Sequence, residues 1–143
     1  MQERGFTAKR SITINAPSAK VWDALINPDM IKQYLFGTQA ISEWKVGSSI
    51  TYKGSWEGRS YEDKGKILQL IPGRILQTTY WSSMSGTEDK PENYATVTYE
   101  IEPRADGTLL TISQDNNASR EASEHSAQNW GMVLDTMKKI LEK

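Results

Sequence analysis

The sequence predicts an α+β fold in which an antiparallel β-sheet packs against a long C-terminal helix. Two observations lead to this prediction. Between about residues 48 and 114, polar and apolar residues alternate in short segments separated by turn signals, as they do in neighbouring strands of one sheet. Towards the C-terminus, apolar residues recur instead at every third or fourth position, which is the spacing of an amphipathic helix. Consecutive strands with short connections favour an antiparallel meander, one face of which the helix can cover.

The N-terminal part of the chain predicts one strand and two short helices. Residues 6–15 alternate as a strand does, although Arg10 interrupts the apolar set. Pro17 ends this strand and suits the first position of a helix. Asn27-Pro28 stops that helix, and Asp29 can cap a second short helix.

The middle of the chain predicts five further strands, which with the first make about six. Their segments are residues 48–56, 60–71, 75–81, 94–102 and 108–114. A polar loop over residues 82–92 separates the third of these from the fourth. The last two should form a hairpin, because Asp106-Gly107 between them is a strong turn signal. Gly131 interrupts the C-terminal helix at a cost of up to about 1 kcal/mol relative to Ala, so we expect a close contact or a ligand to need the missing side chain.

Composition excludes several kinds of functional site. The chain of 143 residues has 17 Lys and Arg against 18 Asp and Glu, so no broad basic surface for nucleic acid or anionic membrane is expected. It has no cysteine and one histidine, which leaves no His/Cys zinc site and no thiol nucleophile. No apolar run is long enough to span a membrane or act as a signal segment. We therefore expect a cytoplasmic protein, a single domain over residues 1–143, that uses no metal, cofactor, nucleic acid or membrane insertion.

Six short segments, in order along the chain, resemble one known family. They are residues 12–25, 44–47, 65–72, 74–81, 106–111 and 129–131. Together they extend over about residues 8 to 142 and resemble the SRPBCC superfamily, also described as START-like or Bet v 1-like. Within it they are most similar to the AHSA1-like branch, named after the activator of Hsp90 ATPase. In the last segment this chain has Trp130 before Gly131, where the family usually has Gly before Trp.

The resemblance implies the helix-grip fold. In that fold a curved antiparallel sheet wraps around a long C-terminal helix, two short helices follow strand 1, and a cavity lies between helix and sheet. Members of the superfamily bind lipids, polyketides or other apolar molecules, a minority are cyclases or other enzymes, and the Hsp90-activating relatives are co-chaperones. Fold alone does not choose among these functions.

Strand parity and helix spacing select candidate residues for the cavity wall. Alternate strand residues point to the covered face of a sheet, and Tyr and Trp combine an apolar ring with a polar group that can orient a ligand. The predicted ligand-binding residues are Tyr34, Tyr52, Trp56, Tyr80, Trp81, Val97, Tyr99, Trp130, Val133, Leu134 and Met137. Parity does not decide which of Tyr80 and Trp81 faces the cavity. The alternative for all these residues is packing as ordinary core.

No catalytic residue is predicted. Histidine is a common general base, but His125 lies in a polar stretch typical of a solvated helix face. Four carboxylates could include an acid–base pair, namely Glu57, Glu62, Asp63 and Asp115. Their spacing selects no pair, and the first three lie near a turn, which favours a solvated hairpin end.

The predicted function is therefore non-enzymatic binding of a hydrophobic small molecule, such as a lipid, polyketide or flavonoid-like compound, between the C-terminal helix and the sheet. One alternative is a co-chaperone or stress-response module that acts on a chaperone ATPase through its surface. A second is an enzyme of the polyketide-cyclase type. The expected oligomeric state is a monomer or a weak homodimer.

Overall fold

The computed structural model describes residues 5–35, 37–56, 58–83 and 87–142, and for Trp56 the backbone alone. Its strands are β1 (Phe6–Ile14), β2 (Gln39–Ser42), β3 (Ser49–Trp56), β4 (Arg59–Ile71), β5 (Ile75–Ser82), β6 (Ala95–Arg104) and β7 (Gly107–Asn117). Its helices are α1 (Ser18–Ile26), α2 (Pro28–Tyr34) and α3 (Arg120–Leu141), with a 3-10 turn at Pro91–Asn93. The fold is α+β and has the helix-grip arrangement.

Within the described residues the strands form one antiparallel sheet in the order β1-β7-β6-β5-β4-β3-β2. The strands after β1 follow one another as a meander, and β1 completes the far edge by pairing with β7. The sheet has seven strands where about six were expected. The additional strand, β2, has only four residues and no clear alternation, so periodicity could not reveal it.

The inner face of the sheet carries the core, and the outer face is mainly polar. Cross-strand rows such as Thr78–Val97–Gln114 and Leu76–Tyr99–Ile112 face inward, towards α3. The residues buried most deeply are Ile14, Val21, Ile31, Ile50, Ile67, Leu76, Val97, Leu110, Ile112, Leu134, Met137 and Leu141. Each large aliphatic side chain buried in this way contributes about 1.5–3 kcal/mol to folding.

The two short helices bring the chain across one end of the sheet. The α2 helix is capped by Asn27, whose side chain accepts a hydrogen bond from the backbone N–H of Asp29 at 3.0 Å, with Pro28 at the first helical position. The expected cap, Asp29, instead lies in the first turn, where its charge favours the helix dipole. The helix ends at Tyr34 and contacts β2 and α3.

The long helix α3 lies over β1 and β7 and also contacts α2. Ser119 caps its N-terminus by accepting a hydrogen bond from the N–H of Ala122 at 3.0 Å. Gly131 faces β1, and a Cβ added there would lie 2.9 Å from Nη2 of Arg10. The close neighbour of this glycine is thus the end of the Arg10 side chain. No described helix is long and apolar enough to cross a membrane.

Candidate functional site

A cavity of about 390 Å³ lies between the N-terminal half of α3 and the inner face of the sheet. Strands β3 to β7 form its floor, and the segment after α2 closes one side. The lining residues are Leu35, Thr38, Tyr52, Tyr61, Asp63, Thr78, Tyr80, Val97, Tyr99, Gln114, Ser126, Asn129, Trp130 and Val133. Because α3 lies over β1 and β7, the middle strands are left partly uncovered beneath its first half.

Six of the predicted ligand-binding residues lie together in this wall. They are Tyr52, Tyr80, Val97, Tyr99, Trp130 and Val133. Alternation along the strand did not decide between the adjacent residues Tyr80 and Trp81, and in the structure Tyr80 lines the cavity. Trp81 lies on the outer face, opposite Lys64 in the sheet register. There its ring is 6.4 Å from that of Tyr94, and its Nε1–H donates to Thr87. Placing Trp81 in the cavity was therefore wrong, because adjacent strand residues point to opposite faces.

Three other predicted residues are packed in the core and do not line the cavity. The hydroxyl of Tyr34 donates to the carbonyl oxygen of Ala24 at 2.9 Å and ties α2 to α1. Leu134 and Met137 are 2% and 0% exposed and pack deeper along α3. These three residues therefore pack as ordinary core, which was the alternative given for all the predicted ligand-binding residues. The side chain of Trp56, also predicted to bind ligand, lies outside the described residues.

Eight lining residues were not predicted, and most of them are polar. They are Leu35, Thr38, Tyr61, Asp63, Thr78, Gln114, Ser126 and Asn129. Parity could have found Tyr61 and Asp63, since they lie on the same face of β4 as the buried Ile67. Their position near a predicted turn favoured the prediction that Asp63 is exposed to solvent at a hairpin end.

Asp63 places a carboxylate in the wall of the cavity. Its Oδ2 accepts a hydrogen bond from the hydroxyl of Tyr80 at 2.8 Å. Its Oδ1 is buried and has no hydrogen-bond partner among the described residues. The expectation that Asp63 belongs to a solvated hairpin end was therefore wrong: β4 begins at Arg59, so Asp63 lies within the strand, past the hairpin end, on the same face as the buried Ile67.

The tyrosine hydroxyls around Asp63 stay protonated at neutral pH. Burial is the main cause that raises the pKa of Tyr52, of Tyr80 and of Tyr99. For Tyr80 the nearby Asp63 carboxylate raises the pKa further, since it opposes a second negative charge. These groups can therefore donate hydrogen bonds.

Trp130 is held in one orientation against the cavity. Its Nε1–H donates to Oε1 of Gln114 at 2.9 Å, which joins α3 to β7. Its ring meets that of Tyr99 edge to face, with the centroids 5.9 Å apart and the planes at 89°. Such a pair contributes about 0.5–1.5 kcal/mol beyond its buried area. The indole therefore presents a fixed surface to whatever occupies the cavity.

The ring of Tyr61 lies over its cross-strand partner, Gly54, because glycine has no side chain. A Cβ on Gly54 would lie 2.4 Å from the Tyr61 hydroxyl oxygen, so only glycine leaves room for this ring. The same hydroxyl lies 2.5 Å from Oγ1 of Thr38, which in turn donates to the carbonyl oxygen of Leu35. This chain of hydrogen bonds fixes Tyr61 against the segment after α2.

The arrangement is suited to binding and offers little for acid–base chemistry. Asp63 is the one carboxylate among the lining residues that the structure describes, and none of them is His, Lys or Arg. Asp115 lies elsewhere, with its Oδ1 accepting the backbone N–H of Thr96. His125 is exposed on α3. In the described residues no group of three or more His, Asp or Glu could hold a metal ion.

Comparison with known proteins agrees with the resemblance seen in the sequence. The family model described as "Activator of Hsp90 ATPase homolog 1-like protein" matches residues 15–142. No curated protein matches the chain.

Several solved structures share the fold over nearly the whole chain. The solution structure of ChR145 from Cytophaga hutchinsonii is 44% identical, with 99% of this chain and 97% of that chain covered and a TM-score of 0.85. The Aha1 dimer from Colwellia psychrerythraea is 21% identical, with 96% of each chain covered and a TM-score of 0.76. CalU16 from Micromonospora echinospora is 20% identical, with 99% of this chain and 87% of that chain covered and a TM-score of 0.72.

Proposed function

We propose that this chain, which belongs to the activator of Hsp90 ATPase homolog 1-like family, binds a small organic molecule in the cavity between α3 and the sheet and leaves it chemically unchanged. The observation that carries the proposal is the cavity itself, whose wall combines aromatic rings with oriented hydroxyl and amide groups. Ligand sites in proteins have this composition: mostly apolar surface, with a few polar groups that set orientation.

The volume and polarity of the cavity favour a compact ligand. About 390 Å³ lies at the lower end of the roughly 300–1,000 Å³ usual for small-molecule sites. Nine of the lining side chains carry a hydroxyl or an amide, namely Thr38, Tyr52, Tyr61, Thr78, Tyr80, Tyr99, Gln114, Ser126 and Asn129. Some of these groups are already paired within the protein, as Tyr80 is with Asp63 and Ser126 with Asn117. A long acyl chain would offer no partner to the polar atoms that remain, at a cost in affinity. A flavonoid-like or polyketide-like ring system with its own oxygens suits this wall better than a lipid does.

Ligand-dependent stabilisation tests this proposal. The expected result is that a flavonoid such as naringenin raises the melting temperature in a saturable manner and is recovered unchanged, because a ligand that binds only the folded state stabilises it. Palmitate and cholesterol should do so weakly or not at all. Recovery of a modified compound would support the cyclase-type alternative.

A pair of variants on adjacent residues of α3 locates the site. Val133→Trp places a large side chain in the cavity wall, whereas Met132→Trp places the same side chain in solvent, where Met132 is 57% exposed. Stabilisation by ligand should be lost in the first variant and kept in the second, provided that circular dichroism shows both folded. Equal stabilisation of both variants would exclude this cavity as the site.

A co-chaperone role is the second candidate, and the description of the family is the observation that favours it. Such a role needs a protein surface and does not need the cavity. Stimulation of an Hsp90-type ATPase by the wild-type chain and equally by Val133→Trp would support this candidate.

A further inference from the structure

The cavity carries one formal negative charge without a cation beside it. Asp63 is the source of this charge, and the described lining residues include no Lys, Arg or His. The next residue, Lys64, points to the outer face, where its ammonium group pairs with the carboxylate of Asp89. Among the described residues, no ion pair involves Asp63.

The hydrogen bonds made by Asp63 leave half of its carboxylate unused. The Tyr80 hydroxyl donates to Oδ2, while the buried Oδ1 has no partner in the described part of the chain. Removing a carboxylate oxygen from water without a hydrogen bond is costly, so buried charges in proteins are usually paired. An unused acceptor in the wall of a binding cavity is satisfied when the ligand brings a donor to it.

Three tyrosines neighbour this carboxylate in the sheet. Tyr52 lies directly opposite Asp63 in the β3–β4 register, and Tyr61 lies two residues away on the same face of β4. Tyr80, the donor to Oδ2, completes the group. Aromatic faces attract cations, and sites for ammonium ligands combine such rings with desolvation.

We propose that the ligand of this cavity carries a protonated amine, which Asp63 pairs with while Tyr52, Tyr61 and Tyr80 surround it. This inference rests on the proposed function, because it names the chemical class of the molecule bound at that site. The ammonium group supplies the donor that Oδ1 lacks, and the ring body of the ligand packs against Trp130 and Val133. A carboxylate ligand of the same shape is repelled by Asp63, so fatty acids and other organic acids are excluded.

Three compounds that differ only in one group test the inference by isothermal titration calorimetry at pH 7. They are 2-naphthylmethylamine, which is cationic, 2-naphthalenemethanol, which is neutral, and 2-naphthoate, which is anionic. The amine should bind the wild-type chain about tenfold or more tightly than the alcohol, since hydrogen bonds to charged groups are the stronger class. The naphthoate should bind more weakly than either. This comparison needs no variant to fold.

Two substitutions that each remove one negative charge test whether Asp63 causes the preference for the amine. Asp63→Asn removes the cavity charge, so the amine should fall to the affinity of the alcohol, while the alcohol changes by no more than about threefold. Glu62→Gln makes the same change in net charge at the adjacent exposed residue of β4 and should leave all three affinities as they are.

Tyr80→Phe distinguishes ligand binding by Asp63 from a role in which the carboxylate only orients Tyr80. The variant keeps the ring and removes the donor to Oδ2, so the preference for the amine should persist or increase. Loss of the preference in Tyr80→Phe as in Asp63→Asn would overturn the inference.

The remaining outcomes separate this inference from the proposed function. Equal binding of all three compounds, or an amine preference that survives Asp63→Asn, overturns the inference and leaves the cavity a binding site. If none of the three binds, the inference is overturned too, and the neutral flavonoid tested with Val133→Trp then decides the proposed function by itself.

Discussion

At the scale of single residues, two glycines show how the same substitution can have opposite consequences. A Cβ on Gly131 would approach only the guanidinium of Arg10, the far end of a flexible and exposed side chain. A Cβ on Gly65 would lie 1.7 Å from the backbone carbonyl oxygen of Thr79. The first neighbour can move at little cost, whereas the second belongs to the sheet.

Gly131→Ala should therefore be tolerated and Gly65→Ala should not. We expect Gly131→Ala to leave the free energy of unfolding unchanged or to raise it by up to about 1 kcal/mol, because alanine favours a helix. We expect Gly65→Ala to lower it by about 1–3 kcal/mol, as overpacking does. Urea denaturation of both variants measures the difference, and the reverse order would contradict the contacts described for these two positions.

Asp63 shows why part of the site was missed in the sequence, although alternation along β4 puts it on the same face as the buried Ile67. A carboxylate near a turn is usually solvated, and only the position of neighbouring strands decides whether alternation buries it. Tyr52, Tyr99 and Trp130 could be predicted to lie at the cavity because parity and helix spacing apply to large aromatic residues directly. The distinction between Tyr80 and Trp81 needed the register of β4 with β5.

At the scale of elements, the C-terminal end of α3 is tied to the start of the chain by a small polar network. The Glu142 carboxylate accepts from the backbone N–H of Asn15 at 2.8 Å and pairs with Lys138 at 2.5 Å. Lys138 also donates to the carbonyl oxygen of Thr13, and Lys20 donates to that of Leu141. These contacts hold the helix end against β1 and the turn before α1.

This network should make stability depend on pH. Its hydrogen bonds, with Lys138 first and Asn15 next, lower the pKa of Glu142 below its usual value of 4.5. A carboxyl whose pKa is lower in the folded state stabilises the fold above its unfolded pKa and loses that effect as pH falls through the folded pKa. Glu142→Gln should therefore lower the melting temperature at pH 7, and the difference from wild type should vanish in acid.

Thermal melts from pH 7 down to pH 3 measure this dependence. The matched control is Glu124→Gln, an exposed position on the same helix that takes part in none of the ion pairs described for the chain. A decrease in melting temperature that is the same for both variants, or that persists unchanged at pH 3, would contradict the role given to Glu142.

Several elements were predictable because their local signals agree with the tertiary structure. The alternation of β1 matches its burial from Ala8 to Ile14, although Phe6 and Arg10 are exposed. The Asp-Gly hairpin joins β6 to β7 as expected, and the last turns of the apolar stripe of α3 are buried. The four-residue strand β2 was missed, since it forms by pairing with β3 and its own sequence carries little strand signal. The cap of α2 shifted by two residues because Pro28 takes the first helical position and leaves Asn27 outside it.

At the scale of the whole molecule, the cavity is a consequence of where the long helix crosses the sheet. The α3 helix packs against β1 and β7, with Leu134 and Met137 buried, while Ser126, Asn129 and Trp130 in its N-terminal half line the cavity. Sequence patterns predict both layers but not their separation, so the volume of the cavity could not be predicted. The central claim is that this space binds a ligand.

Titration of the ¹⁵N-labelled chain with naringenin, followed through the indole N–H signals, tests that claim most directly. Trp130 reports on the cavity and Trp81 on the outer face, and Trp130→Phe and Trp81→Phe assign the two signals. We expect a saturable shift of the Trp130 signal with the Trp81 signal unchanged. A Trp130 signal that stays in place at concentrations where the compound stabilises the protein would contradict it.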